Sequence, residues 1–527
     1  MRKLNRSLAC LVFSLSPALS PALIAQSDLG AVDIGRSTTV SVTATILHAG
    51  TLSAISVTTG GKPNFDFTST GGSCKVGSTY AASATCTIAV SFAPKLAGER
   101  FGGFVLMNQD GSIAAQGYLH GTGSGPQISY LPGTQTLLMN NIPVPNGLAT
   151  DSSGSVYAVE GYGQFVGQTG QFGSGEVVQL PGGSNSASPF SVGDLGYVSV
   201  DGAGNTYLPG IQYSESILQP NGFYTGLFSP YNIIGADAAG SLYAPCNAGL
   251  CKQTIQPDGT YLTTTVTTDS NLDVYYIDGN GDVFAGENDG MLHEFIATPG
   301  GYLPIAGSTG TQTIAALSAD GLGNIYGLDT LGNVYKETPQ PNGTAVQTFL
   351  FNNALGQYET NTQLIQAAAA GNRLAADPAG NLYFWAQTGT DPSPIPYPPL
   401  SSETYPVYGL FEVNYSLPST LTFPATSLGV ASGSQTVTIT NSGNLPLQFS
   451  TIEFPTDFPE TGHAASECRE GTSLVSNASC TLTIGFAPVG PVSGSSALRT
   501  EQVLVTTNLH NAPGTQQAIT VTGTVAP

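Results

Sequence analysis

Seven acidic residues, Asp269, Asp273, Asp278, Asp282, Glu287, Asp289 and Glu294, fall within 26 positions with no Lys or Arg between them. Hard cations such as Ca²⁺ take about six to eight oxygen ligands, and Asp278-Gly-Asn280-Gly-Asp282 sets three oxygen-bearing side chains at alternate positions. A Ca²⁺ site at Asp278, Asn280 and Asp282 is therefore one reading. An EF-hand loop would need Gly where Val283 stands and a bidentate Glu where Asp289 stands. The same residues fall on a turn motif repeated along the chain, so plain hairpin turns without a cofactor are the favoured reading. Catalytic signals are sparse: there is no G-x-S-x-G, no H-E-x-x-H and no P-loop. The histidines, His48, His120, His293, His463 and His510, are scattered, and His293 beside Glu294 has no second histidine near it in sequence. No catalytic residue is assigned.

Six cysteines form three local pairs: Cys74 with Cys86, Cys246 with Cys251, Cys468 with Cys480. Their spacings lack the C-x-x-C and clustered His of a zinc site, and an oxidising compartment permits three bridges. Such a compartment is implied by the N-terminus. Arg2, Lys3 and Arg6 precede an apolar stretch over residues 8–15 and small residues up to Ala25, the order of a secretory signal peptide, residues 1–25. Leu8-Ala9-Cys10 faintly resembles a lipobox, but nine residues leave too little room for both a basic and an apolar region. No other stretch is apolar for the roughly 18 residues a spanning helix needs.

The 527 residues carry 13 basic and 34 acidic side chains; without Arg2, Lys3 and Arg6 the balance is −24. Only 9% of residues are charged and 66 are Gly, which disfavours long helices laced with ion pairs. A surface this acidic repels phosphate, so nucleic acid and anionic membrane are poor partners. A protein or glycan ligand fits better, and the aromatic loops at Tyr162-Gly-Gln-Phe165 and Tyr397-Pro-Pro399 are candidate stacking surfaces.

These residues sit in two internal repeats. The first joins the ends of the chain: Cys74/Cys86 and Cys468/Cys480 are each twelve apart, and each second cysteine is followed by Phe92-Ala93-Pro94 or Phe486-Ala487-Pro488 at the same offset. Alternation in Cys86-Thr-Ile-Ala-Val-Ser-Phe92 and Cys480-Thr-Leu-Thr-Ile-Gly-Phe486 predicts strands with one buried face. The second repeat is Asp-x-x-Gly-x-h-aromatic (h, apolar), at Asp151, Asp201, Asp237, Asp278, Asp320 and Asp377, with a mean spacing of about 45 residues. That period suits a four-stranded propeller blade, with Asp and Gly building the turn. A seventh match at Asp329-Gly332-Tyr335 lies nine residues after Asp320 and reads as a second hairpin within one blade, or as a seventh blade.

The end repeats resemble the ASH/Hydin-type, choice-of-anchor D immunoglobulin-like domains of bacterial exported proteins. The middle is similar to NHL-type propellers, whose relatives include lyases and lactonase-like enzymes. These resemblances imply an all-β chain: an immunoglobulin-like β-sandwich (28–125), a six-bladed β-propeller, seven being the alternative (126–416), and a second sandwich (417–527). The expected function is an exported binding or scaffold protein at the cell surface, in the periplasm or outside the cell, gripping its ligand with propeller loops. The alternative is a propeller lyase or hydrolase with its site over the central channel.

Overall fold

The computed structural model describes residues 26–142, 145–160, 175–180, 188–193, 198–208, 214–218, 224–228, 233–246, 249–256, 260–287, 291–309, 313–339, 345–352, 373–391, 405–490 and 497–526. Residues 1–25, expected to be a signal peptide, Asp289, the loops at Tyr162–Phe165 and Tyr397–Pro399, and the Asp273 side chain lie outside the described residues.

The repeated Asp-x-x-Gly turns each join the first two strands of a four-stranded antiparallel sheet. Six such sheets are described. Their innermost strands are Pro145–Thr150, Ser199–Val200, Gly235–Ala236, Leu272–Ile277, Ile314–Ala319 and Leu374–Ala376. Neighbouring innermost strands touch in turn, and the last touches the first, so the sheets close into a six-bladed ring. Gly133–Ile142, which precedes the first blade in sequence, closes the ring by strand pairing, as the outermost strand of the sixth blade beside Tyr405–Pro418. The turn at Asp329-Gly332 connects the second and third strands of the fifth blade and starts no blade of its own.

Each turn explains its own sequence. The six turn glycines have φ between +70° and +91°, which a side chain disfavours, and in each turn the Gly N–H returns to the carbonyl of the leading Asp. Strands then alternate, placing Tyr157, Tyr207, Tyr243, Tyr326 and Tyr383 between blades, buried.

Two β-sandwiches flank the ring. In the first, Ser27–Asp33, Ile113–Ser124, Gly98–Asn108 and Gly50–Thr59 face Thr38–Thr45, Thr85–Phe92 and Phe67–Gly72. In the second, Leu421–Ser427, Thr515–Ala526, Ala497–Thr507 and Leu447–Glu453 face Gln435–Asn441 and Ser479–Ile484. Disulfides Cys74–Cys86 and Cys468–Cys480 pin equivalent corners, and Cys246–Cys251 closes a hairpin of the third blade. The phenylalanine pairs Phe67–Phe92 and Phe458–Phe486 stack with centroids 4.8 Å apart in both cores. Ile128–Leu131, inside the stretch read from sequence as propeller, pairs antiparallel with Gln435–Asn441 and buries Ile128 and Tyr130 in the second core. No helix among the described residues is long and apolar enough to cross a membrane.

Candidate functional site

The leading aspartate of each turn is built into the turn. In the second blade, Asp201 Oδ1 accepts the N–H groups of Ala203 and Asn205, both at 2.9 Å. Its Oδ2 accepts Asn205 Nδ2 at 2.7 Å and the Tyr207 hydroxyl at 2.9 Å. The two-amide pattern recurs at Asp151, Asp237, Asp278, Asp320 and Asp377. Tyrosine six residues on donates to the aspartate in every blade but the fourth. The motif's aromatic thus has a second part beside its buried ring: its hydroxyl ties the turn. Burial still outweighs these bonds at Asp151, Asp201 and Asp377, whose carboxyls are pushed up to about 6.

The ring of turns is the seat of the N-terminal sandwich. Gly60 N–H donates to Gly202 O at 2.9 Å, Thr58 Oγ1 to Ala203 O at 3.1 Å, and Glu99 N–H to Gly321 O at 2.7 Å. Tyr118 reaches Asp201 Oδ2 at 2.9 Å, Arg100 Nη2 donates to Ser152 O, and Gln127 Nε2 to Ala379 O at 3.2 Å. Phe101 lies on Gly279, and Tyr118 also abuts Gly240. The sandwich engages five turns, and Gln127, just past its last strand, engages the sixth. At four turns the contact falls on the residue after the aspartate, which is small there: Ser152, Gly202, Gly279 and Gly321. At the contact, Gly202 of the turn lets the Gly102 backbone approach, and a Cβ at Gly103 of the sandwich would overlap that of Ala203.

Docking closes one end of the propeller axis and leaves a cavity of about 680 Å³. Thr150, Val200, Ala236, Ile277, Ala319 and Ala376 contribute to its wall, and Glu99, Phe101 and Thr122 come from the sandwich. Asn444 and Asn477 of the second sandwich complete the boundary. Seven carboxylate residues line it, and no Lys, Arg, His or Cys does among the described residues. Ser199 Oγ and Asn477 Oδ1 on this boundary are buried without a protein partner. Behind Glu99, His120 Nε2 meets its carboxylate, and His120 Nδ1 lies 3.5 Å from Asp28.

The fourth blade breaks the repeat inside this cavity. Where the other turns place Asn or Ser four residues after the aspartate it has Asp282, and where they place Tyr it has Phe284. Asp278 Oδ1 accepts the amides of Asn280 at 2.9 Å and Asp282 at 2.8 Å, while Asp282 Oδ1 accepts Ala297 N–H at 2.7 Å. Burial, with the Asp282 charge adding to it, pushes the Asp278 carboxyl well above the usual range. At the residues considered for Ca²⁺, these bonds assign Asp278 Oδ1 and Asp282 Oδ1 to backbone amides. Among the described residues no three His, Cys, Asp or Glu side chains are placed to hold a metal. Elsewhere in the acidic stretch, Asp269 Oδ1 caps Asn271 N–H at 2.9 Å, and Glu287 pairs with His293 at 3.1 Å. Glu294 lines the cavity with Asp278 and Asp282.

Sequence reasoning missed Glu99, Phe101 and Tyr118 as cavity and docking residues. The available signal was Arg100-Phe-Gly-Gly-Phe104 against Arg499-Thr-Glu-Gln-Val503 in the other copy: paired glycines in a strand mark a close approach.

No known protein family's sequence profile matches the chain, and no curated protein matches it. Solved β-propeller structures are similar to it. A streptogramin B lyase is 12% identical, covering 54% of this chain and 97% of its own, with a TM-score of 0.33. A Bacteroides thetaiotaomicron protein of unknown function is 12% identical, covering 70% and 98%, with a TM-score of 0.34. YCF48 bound to D1 peptide is 12% identical, covering 51% and 82%, with a TM-score of 0.31. At such scores these likenesses carry no functional argument; the blade count rests on the strand pairing.

Proposed function

We propose that this is an exported, non-enzymatic binding or scaffold protein of the cell envelope or extracellular space, holding its ligand in the propeller channel and with the loops around it. We read the ring as NHL-type and the sandwiches as choice-of-anchor D-type, on the motifs they carry. One observation carries the reading: the channel boundary offers carboxylates, hydroxyls and aromatic rings, but no ammonium, guanidinium, thiol or imidazole among the described residues. A boundary of seven carboxylate residues with no cationic side chain among the described lining residues disfavours anions, so we read the ligand as neutral or cationic, with aromatic surface at Phe101 and Tyr276 to meet it. The turn aspartates are occupied by their own turns, which leaves them structural. The three local disulfides support export, since such bonds persist in oxidising compartments.

The neighbouring carboxyls of Asp278 and Asp282, the first held above the usual range by burial and by the second's charge, favour one second reading, a lyase or hydrolase using that pair as acid and base. Calorimetric titration with neutral and cationic glycans and peptides, beside chromatographic assay of the same compounds, separates the two. The binding reading expects saturable heat with the compound recovered unchanged. Turnover that Asp278→Asn and Asp282→Asn abolish, with the fold intact, replaces it with the enzyme.

A further inference from the structure

The two sandwiches share the pairing of one strand and the loop bonds beside it, which makes a difference at that strand informative. Ile46 N–H donates to Ala84 O and Ser83 N–H to Ile46 O; Asn441 N–H donates to Ala478 O and Asn477 N–H to Asn441 O. Val42 lies opposite Ile88 and Ala44 opposite Cys86, as Val437 lies opposite Leu482 and Ile439 opposite Cys480. Strand Thr38–Thr45 is thus the counterpart of Gln435–Asn441.

In the second sandwich the outer edge of that strand is filled. Ile128–Leu131, some 300 positions earlier, lies antiparallel along it with Ile128 opposite Asn441 and Tyr130 opposite Ile439. In the first sandwich Thr38–Thr45 ends its sheet, and no described residue pairs with its outer edge. The edge carries none of the usual protections. Its eight residues, Thr-Thr-Val-Ser-Val-Thr-Ala-Thr, include no charge and no proline, and the pairing with Thr85–Phe92 runs all eight positions without a bulge.

We infer that Thr38–Thr45 is a docking edge for an extended strand of a partner polypeptide, received as the second sandwich receives Ile128–Leu131. The partner segment is uncharged, with large apolar side chains at alternate positions. Main-chain bonds would give the affinity and the alternate side chains the selectivity. Ala44 stands where the second sandwich has Ile439, so an incoming strand meets a small neighbour there and a Tyr or Phe complements it. A second copy of Thr38–Thr45 would offer only Val and Ala at those positions, which disfavours self-pairing. This surface is independent of the channel and of whether the channel binds or catalyses.

The test is hydrogen exchange on the full mature chain with a synthetic peptide of the sequence Pro126-Gln-Ile-Ser-Tyr-Leu-Pro132 as probe. The expected result is that amides of residues 38–45 exchange at least about tenfold more slowly at saturating peptide. The same peptide N-methylated at Ser129 and Leu131, or at Ile128 and Tyr130, covers both ladder phases; one of the two should give no slowing. Three results would overturn the inference: unchanged exchange at 38–45 with millimolar peptide; changes confined to residues 435–441, where the peptide would be replacing its parent strand; or protection of 38–45 without peptide that grows with protein concentration, which would make the occupant a second copy.

Discussion

The two sandwiches share an interior and differ on the outside. Each holds an aspartate that clasps the loop after its Phe-Ala-Pro: Asp66 accepts Lys95 N–H at 2.8 Å, and Asp457 accepts Val489 N–H at 2.8 Å. Each aspartate meets an arginine from the neighbouring sheet, Arg100 at 2.7 Å and Arg499 at 3.3 Å. The first pair is fully buried because the propeller lies over it, whereas the Arg499 side chain is 32% exposed. On the outward face Glu99 and Phe101 are held against the turns, while Leu498, the counterpart of Glu99, is 70% exposed. The inward residues set the fold, and the outward residues decide whether a sandwich becomes the floor of a cavity.

The largest expected effect comes from the arginines. Arg100→Met strands Asp66 in the interior and should cost about 3–5 kcal/mol, while Arg499→Met, breaking a part-exposed pair, should cost about 1 kcal/mol or less. Equilibrium urea unfolding of both variants checks this; equal costs would remove the difference in environment.

Replacing either cysteine pair, Cys74/Cys86 or Cys468/Cys480, with serine should cost about 2–4 kcal/mol. The two losses should match within about 1 kcal/mol, because both bridges close twelve-residue separations against equivalent cores. A large inequality in thermal melts would show that the interiors are less alike than their bonding.

At the interface, Gly103→Val should cost about 2 kcal/mol and release protection in residues 201–205, since its side chain would collide with Ala203. Gln502→Val, at the corresponding position of the exposed sheet, should stay within about 0.5 kcal/mol. Exchange mass spectrometry of residues 201–205 reads the distinction.

Smaller effects come from the carboxylates. Asp282→Asn gives the fourth blade the Asn that the second, fifth and sixth carry, able to donate to Asp278 Oδ2; it should raise stability by about 1 kcal/mol at neutral pH. The turn carboxyls at about 6 lie above the ordinary 3.8, so the folded chain binds these protons more tightly than the unfolded chain. Their contribution is therefore greatest below about pH 4 and declines as pH rises to 6. Melting temperature should be higher at pH 5 than at pH 7, and the reverse order would contradict the burial of these groups.

Much of this was legible in sequence because it is periodic. The six Asp-x-x-Gly turns, the paired cysteines and the Cys-to-Phe strands recur at fixed offsets, and local geometry demands those residues wherever the element occurs. Seating of the sandwich on the turns was not legible, since contacts such as Tyr118 with Asp201 or Glu99 with Gly321 join residues 83 and 222 positions apart, with no local pattern. The insertion of Ile128–Leu131 into the second sandwich was hidden for the same reason. In the acidic stretch, the departure of Asp282 and Phe284 from the repeat was visible as spelling; only the cavity gave it a location.

The most direct test is native mass spectrometry of the protein after incubation with envelope and supernatant extracts, comparing wild type with Ala236→Phe, which fills the channel. Binding in the channel predicts a neutral or cationic species that co-purifies with wild type, is released chemically unchanged and is absent from the variant. Retention by both proteins, or release of a converted product, would contradict it.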